Sequence, residues 1–258
     1  MSRVIYSCAH LLIDGLDASA DLNSLTVNYG SESKDITTMG NDTRISKGGL
    51  KTGSIDAAGL LNLGSSLIDE VLWGKIGETD VVVAVFPVGI NAGSTSLTGE
   101  AMGSVPNTLA IGGAVGEILP FSVTFGPSSD IVKAVVIEDF NSTAASTDGV
   151  TSASVNLVHC STGEKLYAGW QVNGLTTSLG SSISAIIEAA SSSGFGVGST
   201  GQTLVTFGAL STKAGVVATP IAASAMSTDQ PFLRAVITPS TGTSTCSNGT
   251  GYVWAGIQ

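Results

Sequence analysis

Apolar and polar residues alternate over Leu25–Tyr29. Leu25, Val27 and Tyr29 fall on one side of an extended chain, and Thr26 and Asn28 on the other. After Gly30 the alternation stops, and about twenty residues follow without an apolar period before Leu50. A polar loop of that length inside a compact domain usually has a function of its own. The same reading predicts strands near Ala9–Ile13, Asn23–Tyr29, Leu50–Ala57, Val81–Pro87, Ser94–Met102, Ile118–Phe125 and Ile131–Ile137. One helix interrupts them at Ser66–Ile76: Ser66 caps it with Asp69 three residues on, Leu67, Ile68, Val71, Leu72 and Ile76 form its apolar face, and Gly77 ends it.

Beyond residue 150 the pattern predicts strands near Ala153–His159, Tyr167–Val172, Ile183–Glu188, Thr203–Phe207, Phe232–Thr238 and Tyr252–Ile257, with Ser-, Thr- and Gly-rich turns between them. Gly215–Met226 reads as loop or short strand, because Pro220 and paired valines interrupt its alanines. The aperiodic stretch 139–149 divides the chain into a first region, 1–138, and a second, 150–258. The fold class is mainly β (α+β): a β-sandwich with one flanking helix and a long loop, then a C-terminal β-sandwich of immunoglobulin-like or jelly-roll type. The long loop and capped helix do not recur, so the halves read as different domains.

Charge sharpens this division. Residues 1–140 carry sixteen Asp and Glu against seven Lys and Arg, a balance of −9, while the remainder carries four against three. Such a balance opposes tight nucleic-acid binding, which needs clustered cations on phosphates. Only 12% of the 258 residues are charged, which fits a surface covered by copies of itself. Cys8, Cys160 and Cys246 show no CxxC spacing, so neither a disulfide framework nor a zinc site is expected. His10 and His159 are the only histidines, and His159 and Cys160 would point to opposite faces of a strand.

No other motif raises catalysis. Asp69-Glu70 suit a helix N-terminus, Glu138-Asp139 suit a strand end, and neither Gly48-Gly49 nor Gly112-Gly113 belongs to a nucleotide loop. No nucleophile elbow is present. Trp170, Trp254, Phe207 and Phe232 read as core residues of the second half, with a sugar-stacking face as the other use of such rings. The mixed-charge loop Glu32–Lys51 reads equally as a solvated surface or a docking arm.

The strand Asn23–Tyr29, the loop core Asp35-Ile36-Thr37-Thr38-Met39-Gly40-Asn41-Asp42-Thr43-Arg44, the return Gly49-Leu50-Lys51-Thr52 and the later Ala114–Ser122 carry a resemblance by their order and spacing. Together they resemble the tail tube (major tail) proteins of long-tailed bacteriophages, over residue 1 to about residue 138. The resemblance implies a tail tube domain at 1–138 and a non-enzymatic virion protein without a cofactor or metal. Its copies would form stacked rings, hexameric in the usual family state, or trimeric if the second half were another tube domain. Assembly would occur in the host cytoplasm, with other tail proteins as partners and no membrane. DNA would pass through the channel at ejection without tight binding. Glu32, Lys34, Asp35, Asp42, Arg44 and Lys47 would form the inter-subunit arm, and Thr26 and Asn28 would face the lumen. The second half would be peripheral. Two other functions are weighed against this one: a viral surface or decoration protein whose C-terminal sandwich binds carbohydrate, and a glycan hydrolase.

Overall fold

The computed structural model describes residues 9–40, 42–64, 68–90, 98–142, 150–151, 154–157, 163–177, 182–191, 202–222, 232–239 and 246–258. In the first half the strands are β1 (His10–Ile13), β2 (Leu16–Asp17), β3 (Leu22–Asp35), β4 (Ser46–Leu60), β5 (Val81–Phe86), β6 (Thr98–Ile111), β7 (Pro120–Pro127) and β8 (Val132–Ser142), with helix α1 (Ile68–Lys75) between β4 and β5. In the second half they are β9 (Val150–Thr151), β10 (Val155–Asn156), β11 (Lys165–Thr177), β12 (Ile183–Ala190), β13 (Gln202–Thr206), β14 (Ala214–Val217), β15 (Ile221–Ala222), β16 (Phe232–Pro239) and β17 (Cys246–Ile257). The fold is mainly β, with antiparallel pairing throughout. The N-cap Ser66 and the apolar Leu67 lie outside the described residues. Of the helix face, Ile68 and Leu72 are buried but Ile76 is exposed, and Gly77 follows the helix at φ 79°.

Two expectations change. The long loop is in fact a hairpin: β3 runs on to Asp35 and β4 starts at Ser46, with Lys34 opposite Lys47 and Asp35 opposite Ser46. Residues 139–142, expected in a linker, belong to β8, where Asp139 pairs with Tyr252 and Phe140 with Gly251. Residues 143–149 are outside the described set. The two halves therefore share a twelve-stranded sheet, because β17 lies between β8 and β11. A second sheet of five strands is built from β9, β10, β12, β13 and β16.

Alternation along the shared strands sorts their side chains into three cores. Leu166, Ala168, Trp170 and Val172 of β11, with Val253 and Ala255 of β17, pack against Ile183, Ala185 and Ile187 of the five-stranded sheet. Trp170 stands 6.0 Å from Phe207 at 52° in this layer. Leu11, Ile13, Val83 and Val85 pack with Ile55, Ala57, Val123, Phe125 and the helix residues Ile68 and Leu72. The intervening residues of the same strands, Leu12, Val82, Ala84, Phe86, Ala134, Val136, Tyr167 and Trp254, form the third core. It is enclosed because the sheet curls until β11 and β14 approach β1, β2 and β5.

The curl is fastened by polar groups rather than by a strand ladder. Gln171, fully buried, accepts from Gly15 N (3.3 Å) and turns its amide nitrogen to the carbonyls of Val82 (3.4 Å) and Leu12 (3.5 Å). Asp14 and Gly15 make the turn between β1 and β2 with φ 43° and 86°, the left-handed pair that a two-residue hairpin favours. Asp14 then accepts from Gly215 N (2.8 Å) with one oxygen and from Lys75 Nζ (2.7 Å) with the other. A Cβ on Gly15 would stand 2.6 Å from the Val172 carbonyl oxygen, so glycine is required by space as well as by φ. Gln171→Leu keeps the volume but strands the buried Gly15 amide. We expect a loss of about 1–3 kcal/mol, read by chemical denaturation, with near-wild-type stability refuting this role.

Glu138 sits half-buried where Ile137 bulges out of the β8–β17 ladder. Burial, reinforced by the neighbouring Asp139 carboxylate, pushes its carboxyl up to about 7. The folded state thus binds this proton more tightly than the unfolded chain does. The stability that Glu138 contributes is fully present below pH 4.5, falls as pH rises from 4.5 to about 7, and is lost above that. In Glu138→Gln the decline in melting temperature over this range should become shallower, leaving the part due to Glu100 and Asp139, whose carboxyls burial also raises. An unchanged profile would show that another group sets it.

Candidate assembly surfaces

The sheet formed by β3, β4, β7 and the second part of β6 has two unlike faces. Leu25, Val27, Ile55, Ala57, Phe121, Val123 and Phe125 point into the core. The alternate positions carry Ser24, Thr26, Asn28, Ser54, Asp56, Ser122, Thr124, Thr108 and Ala110, which are partly or fully exposed. Thr26 and Asn28, expected on one polar face, are both exposed there. Asn28 Nδ2 donates to Asp56 Oδ2 (2.7 Å) and Ser54 Oγ (3.2 Å), and Thr124 Oγ1 donates to Asp56 Oδ1 (2.7 Å). Asp56 is the one carboxylate in this row, and it ties three adjacent strands together. The surface is hydroxyl-rich and weakly acidic. It offers no cation for phosphate to hold.

β7 pairs with β4 only from Ile55 to Leu60, so β3 and β4 overhang it as a two-stranded ribbon of roughly 25 Å at ordinary strand rise. Such a ribbon is marginal on its own and needs bracing. At its root the Gln258 amide reaches Tyr29 Oη (3.0 Å). With its oxygen also facing Lys51 Nζ (2.9 Å) and its nitrogen facing the Ile131 carbonyl (2.6 Å), every polar atom of that amide is partnered. Tyr29, Ile131, Glu100 and Lys133 line a cavity of about 290 Å³ beside this root.

The ribbon ends in a hydrogen-bonded turn. Asp35 accepts from Thr37 N (2.9 Å), Thr37 Oγ1 (2.6 Å) and Arg44 Nε (2.7 Å). Ile36 N donates to the Ile45 carbonyl (2.9 Å), and Ile45 N to Thr37 Oγ1 (2.8 Å). Hydrogen bonds from Thr37, with a further one from Arg44, hold the Asp35 carboxyl below the usual carboxylate range. Of the six expected arm residues, Glu32, Lys34, Asp35 and Lys47 are on strands, and Asp42 and Arg44 are in the turn. Glu32 pairs with Lys34 at 2.6 Å, so the mixed charges partly neutralise one another within the ribbon. Sequence reasoning missed the Asp35-x-Thr37 turn, although an Asx signal was available there.

Chemistry outside these surfaces is sparse. His10 Nδ1 meets both Ser19 Oγ (3.3 Å) and Asp17 Oδ2 (3.6 Å), whereas a catalytic relay divides its partners between the two ring nitrogens. His159 and Cys160 lie outside the described residues. Among the described residues no group of three His, Cys, Asp or Glu gathers as a metal site. No helix of the described residues is long and apolar enough to cross a membrane. Trp170, Trp254 and Phe207 are buried and Phe232 is partly buried, so these four do not form an open aromatic platform.

No protein-family model and no curated protein matches the sequence. Among solved structures, the chain is similar to a component of the native gene transfer agent virion at TM-score 0.38 and 17% identity, over 48% of this chain and 94% of that one. It is also similar to a chain of the sheath–tube complex of an extracellular contractile injection system at TM-score 0.40 and 9% identity, over 51% and 90%. The hub protein Dit of phage SPP1 aligns at TM-score 0.38 and 10% identity, over 98% of this chain and all of that one.

Proposed function

We propose that the chain is a structural subunit of a viral tail, of the tail tube type, whose copies close into rings and stack around a channel. The observation that supports this best is the one-sided sheet of β3, β4, β7 and β6, polar on its outer face and extended by a braced hairpin. In a ring the polar face lines the channel and the hairpin reaches a neighbouring copy. Among the described strands β3 pairs only with β4, so its other edge is free to continue the sheet into the next subunit. Hexameric rings follow from the resemblance in sequence, and the second half stands outside the channel.

Electron microscopy of the purified full chain tests the reading. Rings or tubes of uniform bore are expected, and a population of monomers alone at high concentration refutes it. The channel wall should not retain DNA, because its outward row carries hydroxyls, amides and Asp56 but no cation. Negligible co-sedimentation with duplex DNA is expected at moderate salt. Thr26→Lys with Ser122→Lys should create retention that falls steeply as salt rises. Salt-sensitive DNA binding by the unmodified chain would sink the slippery-channel part of the proposal.

A further inference from the structure

The cavity beside the ribbon root holds two opposite charges that do not meet. Glu100 of β6 and Lys133 of β8 are directly opposed across the ladder, so their side chains leave the sheet on the same face. Their chain neighbours Ala101 and Val132 belong to the third core, which turns Glu100 and Lys133 to the other side. There they stand beside Pro87 and beside Val27 and Ile131, which pack with the second core. Opposed charges on one face ordinarily close into a pair. Here, among the described residues, neither side chain has a hydrogen-bond or ion-pair partner, and the two line about 290 Å³ of open space instead. The half-buried Glu100 bears the cost: burial raises its carboxyl above the usual range, and the charge of Lys133 offsets this only in part.

Tyr29 forms a further wall. The Gln258 amide holds its hydroxyl at 3.0 Å, so the ring is fixed before a ligand arrives and little ordering is lost on binding. We infer that this cavity binds a small amino-acid zwitterion with an aliphatic side chain, its ammonium on Glu100, its carboxylate on Lys133 and its side chain on Val27, Pro87 and Ile131. An amine alone would leave Lys133 unpaired and meet its repulsion, and a carboxylate alone would face Glu100 in the same way. A neutral sugar would cover both charges without giving either a countercharge. A ligand that carries both charges on one carbon pairs each of them by a charge-assisted hydrogen bond and adds no net charge. The site goes beyond the tube reading and does not depend on it, since all its lining residues belong to one chain.

Isothermal titration calorimetry on the full chain tests this with four probes: L-leucine, isoamylamine, isocaproate and D-glucose. Leucine should bind saturably. Isoamylamine lacks its carboxylate and isocaproate its ammonium, and each should bind roughly tenfold or more weakly, the scale of one hydrogen bond to a charged group. Glu100→Gln should weaken leucine by a similar factor and leave isocaproate no weaker. Lys133→Met should weaken leucine likewise and leave isoamylamine no weaker. Circular dichroism checks that both variants fold, and the comparison of probes on the unmodified chain stands without them. Absence of saturable leucine binding, or leucine binding that neither variant weakens, overturns the site. Isoamylamine or isocaproate binding as tightly as leucine would overturn the zwitterion in favour of a ligand with a single charge. Glucose binding as tightly would overturn it in favour of a sugar.

Discussion

Excising Glu32–Leu50 and joining Ser31 to Lys51 through an Asn-Gly turn should leave a folded protein that no longer stacks. Ser31 and Lys51 already face each other across the ladder, so the short turn meets strands in register. The removed segment contributes no residue to the three buried cores. Shortening a surface connection changes closure entropy only slightly, and stability should stay within about 1 kcal/mol. Electron microscopy should show single rings or free subunits in place of tubes, beside an unchanged melting temperature. Tubes of normal length from this variant would refute the arm. A large loss of stability would instead show that the ribbon belongs to the folding unit.

Trp170→Ala should be the most damaging single truncation. The ring is fully buried in the layer between the shared sheet and the five-stranded sheet, against Phe207. Emptying such a site costs about 3–5 kcal/mol, which in a chain this long lowers the melting temperature by on the order of 10 °C. Trp170 Nε1 has no hydrogen-bond partner within the protein. Trp170→Phe therefore sheds an unsatisfied donor along with volume, and should cost well under half as much. Thermal denaturation of the two variants checks the order. Equal losses would mean that the indole nitrogen is bonded in solution.

Most strand positions were legible because alternation records burial on one face, as at Leu25 and Val27. The ends of β3 and β4 were not, for the same reason. From Asn28 to Asp35 the ribbon has left the core, both faces meet water, and the period disappears while the hydrogen bonding continues. The joining of the halves was hidden because β8–β17 pairing links residues over a hundred positions apart, which no local pattern records. Gln171 left a clue, a lone amide in the apolar strand Tyr167–Val172, but its partners Gly15, Leu12 and Val82 are distant in sequence. The polar face at Thr26 and Asn28 was readable from the same alternation.

The position of β17 bears on how the chain reaches this structure. Residues 246–257 leave the ribosome about a hundred residues after β8, yet they form the strand between β8 and β11. Until they arrive, both neighbouring strands keep an open edge, and the buried faces bearing Val135, Ile137 and Trp170 lack part of their packing. Long-range pairing of this kind is slow, and unpaired edges in waiting intermediates invite pairing with the wrong chain. Folding of both sheets is thereby tied to the arrival of β17: a chain arrested before Cys246 should accumulate as aggregate rather than as a half-built but stable part.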